Sequence, residues 1–255
     1  AAWQQEASAR VDHAHMMRDR VMPDRIHNFA HNNEWPTRNL GPAGRVRHGI
    51  TMAKTMIELP RLPSVKTNGT WTVSNRGSYT YGKRHLHGLL TNYELWNEII
   101  ALNNTHYLRP GKAVADQAKH WRLLASSYFN TGKNAEANAL LAQMEKLLTA
   151  QQSGKTKAGT TAEAKAKAAK KKASDVRRAK SDAERPYNTA ISTLTRGIAE
   201  AKMYRAIAKG DKAAAKTFLA KASDIRGERK AMLQFRVGDT EAALKSASAA
   251  VKSGA

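Results

Sequence analysis

Two apolar stripes joined by one turn make residues 118–148 the most restrictive stretch of this chain. Trp121, Leu124, Ala125 and Tyr128 follow one another at the spacing that lines one face of a 3.6-residue helix. Asn130-Thr131-Gly132 then supplies turn chemistry, because glycine tolerates the left-handed conformation that ends a helix. A second stripe runs through Ala137, Leu140, Leu141, Met144 and Leu147. Neither helix buries its stripe alone, so each needs the other and a neighbour.

This unit resembles a tetratricopeptide repeat (TPR). With Ala118 as the first position, Trp121, Leu124, Ala125 and Tyr128 match the first-helix signature and Gly132 the turn. Ala137 and Leu141 match the small and large packing positions of the second helix, in a repeat of about 34 residues. Met144 replaces the usual late alanine, and no proline closes the unit. An unrelated helical hairpin is the alternative for this unit taken by itself.

The rest of the chain is read against that unit. Residues 1–21 read as a second helix of a pair. Pro23 and Asp24 restart a helix through Ile26, Phe29, Ala30 and Asn33, which Trp35-Pro36 is expected to interrupt. After a turn ending at Gly44, residues 45–59 carry Val46, Ile50, Ala53, Met56 and Ile57 on a helix. Residues 61–75 hold an Asn68-Gly69 pair between short β-prone runs, ordinarily a hairpin signal; an isolated hairpin is marginal in water, so a loop is expected. Residues 76–91 read as a helix despite Gly82 and Gly88, with a partner through Trp96, Ile99 and Leu102. C-terminal pairs follow, with Ile191, Leu194 and Ile198 before Gly210-Asp211, and Ala231, Phe235 and Val237 before Gly238-Asp239.

The TPR resemblance thus reaches, in divergent form, across nearly the whole chain. It implies an all-α fold: a right-handed α-solenoid of stacked antiparallel helix pairs with a Lys/Ala-rich insertion. The expected organisation is TPR-like repeats over 1–150, a basic, mobile or solvent-exposed segment over 151–185, and TPR-like pairs over 186–255. The resemblance also implies a protein–protein interaction scaffold or assembly subunit. In TPR proteins the first helices line the concave surface, which makes Lys119, Arg122, Ser126, Phe129 and Asn130 the partner-binding candidates. That set suits an acidic or C-terminal peptide and departs from the carboxylate clamp of chaperone-binding TPR domains.

Composition narrows the chemistry. The net charge of +22 predicts attraction to anionic partners: nucleic acid, anionic lipid or an acidic protein. Residues 153–185 alone hold eleven Lys/Arg against four Asp/Glu, so non-specific nucleic-acid binding through this segment is the second functional reading. A Thr160-x-x-Glu163 capping box could start a solvated helix there, but the segment lacks large apolar residues. Absence of cysteine excludes a disulfide scaffold, a cysteine zinc site and a thiol nucleophile. No run approaches the ~18 apolar residues of a membrane span. The chain opens within helix-like sequence and closes just after another helix, which reads as a piece of a longer protein.

Catalysis has no positive signature: no phosphate-binding loop, dinucleotide fingerprint or nucleophile elbow is present, and no cofactor or enzyme activity is expected. His27 and His31 stand four apart with Asp24 one turn before them, a weak metal candidate that would need a further ligand from His13 or His15. Surface or hydrogen-bonded histidines are the commoner explanation, and no metal is assigned. Asn68-Gly69-Thr70 and Asn103-Asn104-Thr105 match the glycosylation tripeptide, a pattern that also arises by chance.

Overall fold

A computed structural model of the chain describes residues 2–23, 26–61, 65–67, 70–72 and 76–252, with backbone alone at 2, 27, 65–67 and 70–72. Among these residues it is almost entirely helical and divides into two compact units, Ala1–Leu108 and Arg109–Ala255.

In the first unit α1 (Ala2–Asp19) packs on α2 (His27–Leu40), and α2 packs on α3 (Val46–Glu58) and α4 (Ser78–Asn92). A short α5 (Trp96–Leu102) follows α4. Ala30, Met56 and Tyr81 meet in the core of this unit, which also buries Ile50, Leu86, Leu90 and Ile99. The expected break at Trp35-Pro36 does not occur: α2 runs through Pro36 to Leu40. Pro36 removes one backbone donor, but side chains add others nearby. The Thr37 hydroxyl donates to the Asn33 carbonyl at 2.7 Å, and Asn33 Nδ2 donates to the Phe29 carbonyl at 2.8 Å.

The loop expected over 61–75 is also corrected. β1 (Val65–Thr67) and β2 (Thr70–Thr72) pair antiparallel, with Val65 opposite Thr72, Lys66 opposite Trp71 and Thr67 opposite Thr70. Asn68 and Gly69 lie outside the described residues. The β-prone runs carried the signal; the marginal stability of an isolated hairpin was the wrong reason to discount it.

The two glycines of α4 differ in kind. A Cβ on Gly82 would lie 2.6 Å from the Ala53 carbonyl oxygen and 2.9 Å from Ile57 Cγ1, so Gly82 is where α3 and α4 approach most closely. A Cβ on Gly88 would meet nothing within 4 Å. Gly88→Ala should therefore stabilise by up to ~1 kcal/mol through helix propensity. Gly82→Ala should destabilise by ~1–3 kcal/mol, the range for overpacking a core. Urea unfolding of the two variants checks this, and equal midpoints would contradict the close crossing.

In the second unit α6 (Val114–Asn130) packs on α7 (Asn134–Ala168) and α8 (Ala173–Ala208), which also run along each other. Then α8 packs on α9 (Lys212–Lys221), and α10 (Gly227–Arg236) on α11 (Thr240–Lys252). The turns after α6, α8 and α10 each hold a glycine at positive φ: Gly132 at 76°, Gly210 at 75° and Gly238 at 83°. Only glycine adopts that conformation without steric cost, so three helix pairs close by the same device. Met144, Leu194, Met203 and Leu233 are fully buried. Because α6 has neighbours on two sides, its burial exceeds one stripe: Leu123, Ser126, Ser127 and Phe129 are buried, whereas Trp121 and Tyr128 are only half-buried.

The division expected at residue 151 is not an element boundary, since α7 crosses it without a break. Residues 151–185 are helical except at the turn between α7 and α8, and most of their side chains are exposed. Their packing rests on small residues. Gly154, Ala158, Ala162 and Ala166 recur every fourth position on α7, and α8 brings Tyr187 against Gly154 and Glu184 against Gly159. A Cβ on Gly154 would lie 2.8 Å from Tyr187 Cε1, so glycine lets the helices approach around that ring. Farther out, Glu163 bridges Lys180 of α8 at 3.0 Å and Lys167 of its own helix at 2.6 Å. Hydrogen bonds from these two lysines hold the Glu163 carboxyl down to about 2.

Candidate interaction surface and the buried charge network

The first helices of the three pairs in the second unit meet at a cluster of charged side chains. Its centre is Glu200 of α8, only 2 % exposed. From α6, Arg122 Nε donates to Glu200 Oε2 at 2.6 Å. The same guanidinium binds Asp224 with two parallel bonds, Nη1 to Oδ2 at 2.6 Å and Nη2 to Oδ1 at 3.0 Å. From α10, Arg229 Nη2 donates to Glu200 Oε1 and, at 3.3 Å, lies within reach of the Tyr204 hydroxyl. Ser126 Oγ donates to the Arg122 carbonyl at 2.9 Å and lies 3.4 Å from Glu200 Oε1. Arg196 stands 3.9 Å from Asp224 on the outer side.

Burial by itself would discharge Glu200, but the charges of Arg122 and Arg229 outweigh it and hold the carboxyl below its ordinary value. Burial likewise opposes the charge on both arginines, but Glu200, together with Asp224 at Arg122 and Tyr204 at Arg229, more than offsets it, so both are raised. The result is a carboxylate held between two guanidinium groups with most of its lone pairs occupied. Such a centre ties three helices together, and Arg229 Nε is buried there without a hydrogen-bond partner among the described residues.

The five partner-binding candidates fall in different places. Arg122 and Ser126 belong to the charge network. Asn130 is half-buried and connects to it: its Nδ2 donates to the Ser126 carbonyl at 2.8 Å, and its Oδ1 accepts from Arg236 Nη1 at 3.5 Å. Phe129 is 4 % exposed and lies in the core. Lys119 alone of the five is exposed, 3.5 Å from Asp116. Glu200, Asp224 and Arg229 were not anticipated. Glu200 carries one readable signal: it is the lone acid of 186–208, set among Ile198, Ala199, Ala201 and Met203.

Of the histidines and the carboxylate at the start of the chain, only part falls among the described residues. Asp24 and the His27 side chain lie outside the described residues. His31 Nε2 accepts from Trp35 Nε1 at 2.8 Å, and its Nδ1 faces Glu34 at 3.6 Å, so both ring nitrogens have neighbours. His15 pairs with Asp19 at 2.5 Å, and His13 packs near Phe29. Among the described residues no group of three His, Asp or Glu side chains is placed to hold a metal ion, and no helix is long and apolar enough to cross a membrane.

No protein-family model matches this chain, and no match to it stands among curated proteins or solved structures.

Proposed function

We propose that this chain is a protein–protein interaction scaffold or assembly subunit whose TPR-like helix pairs present a surface to an acidic partner. The observation that carries this reading is the Arg122–Glu200–Arg229 network, which ties the first helices of three successive pairs side by side. Buried charge is spent there on holding helices in register, as in a helical repeat array, and not on a reaction. A right-handed solenoid is the arrangement that reading implies. The exposed Lys119, together with the exposed apolar Phe235, Leu244 and Val251 of the last pair, offers the contact chemistry.

A pull-down tests this with three forms of the protein: the full chain, a Lys119→Ala/Phe235→Ser variant, and a truncation replacing 155–186 by a short Gly/Ser turn. Gly154 and Tyr187 already face each other, so the cut joins the helices where they touch. The truncated chain should keep its helical circular dichroism, because Met144, Leu194, Met203 and the Glu200 network lie outside the removed segment. It should also keep a stoichiometric protein partner at high salt, which the surface variant loses. Recovery of nucleic acid alone from the full chain, released by salt and absent from the truncation, would end the scaffold reading.

A further inference from the structure

The projecting part of α7 and α8 carries more positive charge than its own acids can neutralise. Glu163 is matched by Lys167 and Lys180, and Asp182 by Arg178 and Arg185. Among the described residues, Lys157, Lys165, Lys170, Lys171, Lys172 and Arg177 are exposed and form no ion pair. Lys170-Lys171-Lys172 occupies the turn at the end of the hairpin, with Asp175 alone as an acid in the first turn of α8 that follows.

Next to that field lies a groove of about 450 Å³ along α7. It is lined by the small residues Gly154, Ala158 and Ala162 and by Lys157, Thr161, Lys165 and Tyr187. Lys157, Thr161 and Lys165 are four residues apart, so the two ammonium groups stand on one helix face with ~12 Å of axial rise between them and a hydroxyl midway. A small-residue lining, a row of cation, hydroxyl and cation, and one phenol ring form the combination that holds single-stranded nucleic acid, with the cations on phosphates and the ring under a base. A base stacked on that ring must be unpaired, which a duplex does not offer. A lipid surface would call for apolar side chains at the tip, where the sequence is Ala168-Ala169-Lys170-Lys171-Lys172-Ala173.

We propose that this groove and the lysine turn beyond it bind single-stranded nucleic acid through its phosphates, without regard to sequence. This is independent of the protein-binding reading, and either can fail without the other. The test uses the full chain and a fluorescent mixed-sequence oligonucleotide of about 16 nucleotides, the upper end of single-strand site sizes. Anisotropy should report binding whose logarithm falls linearly with log salt. Lys157→Gln/Lys165→Gln should reduce the slope by about 1.4, two contacts at ~0.7 each, and Lys170→Gln/Lys171→Gln/Lys172→Gln by about 2. Tyr187→Leu should weaken binding roughly tenfold with the slope kept, as loss of a stacked base requires. If that variant loses helicity, the lysine variants, which alter only exposed side chains, decide the matter. Absence of binding at low salt overturns the proposal, as does an unchanged slope in Lys157→Gln/Lys165→Gln. A duplex of the same length bound as tightly, or phosphatidylserine vesicles bound without competition from the oligonucleotide, overturns it too.

Discussion

Glu200→Gln is expected to destabilise the second unit by about 3–5 kcal/mol, the range for breaking a buried ion pair and leaving its partner charge uncompensated. The substitution keeps the shape of the side chain, so the loss would come from charge: Arg229 would face a neutral amide, and Arg122 would keep only Asp224. Denaturant unfolding measures it, and a loss under about 1 kcal/mol would mean that water already reaches the cluster. A second comparison separates charge from packing. Arg122→Met, Glu200→Leu and Arg229→Met together should cost less than Glu200→Gln alone, because well-packed apolar residues can replace a buried ion cluster. Asp224 would keep Arg196 nearby in that variant.

The same centre fixes a pH dependence. For Asp224, burial raises the carboxyl, but the Arg122 hydrogen bonds and charge outweigh it and hold the group low; for Glu200, the two arginines do the same against burial. A carboxyl depressed in the folded state contributes stability above its unfolded value, near 4, and loses it as pH falls through the folded value. The unfolding midpoint should therefore drop on acidification below about pH 4, and more shallowly in Glu200→Gln. A wild-type midpoint flat down to pH 2 would contradict the ion pairing.

Phe129→Ala carries the next largest expected effect, about 3–5 kcal/mol, the cost of truncating a buried aromatic. It also separates two roles for one residue. A groove-facing Phe129 would lose partner binding and leave the unfolding midpoint in place. A core Phe129, 4 % exposed, instead lowers the unfolding free energy by several kcal/mol. A change below about 0.5 kcal/mol would return Phe129 to the surface. Trp121 and Tyr128 would have been the natural choices from the apolar stripe, but both are half-buried and should cost less than Phe129.

What was legible in the chain was local. The helices α3, α6 and α8 and the glycine turns at 132, 210 and 238 depend on residues within a few positions of one another and lie where spacing placed them, although the stripe of α6 is half-buried at Trp121 and Tyr128. The basic segment was half legible. Its lysines and alanines favour helix, yet the absence of large apolar residues suggested that nothing held it. The small residues at 158, 159, 162 and 166 are themselves the stripe, buried at Gly159 and Ala166 and half-buried at Ala158 and Ala162, where Gly154 and Gly159 let a second helix approach closely.

The amino-acid sequence by itself determined that the chain is helical, where three of its pairs turn, and that its charge would be strongly positive. Tertiary structure alone decided which charges would disappear from the surface. Arg122 lies 78 residues from Glu200 and 102 from Asp224, and Glu200 lies 29 from Arg229. Helical periodicity can place an arginine on a face, but it says nothing about which carboxylate will stand opposite. That choice belongs to the packing of α6, α8 and α10, which turned two of the five expected surface contacts, Arg122 and Ser126, into members of a buried network and a third, Phe129, into core.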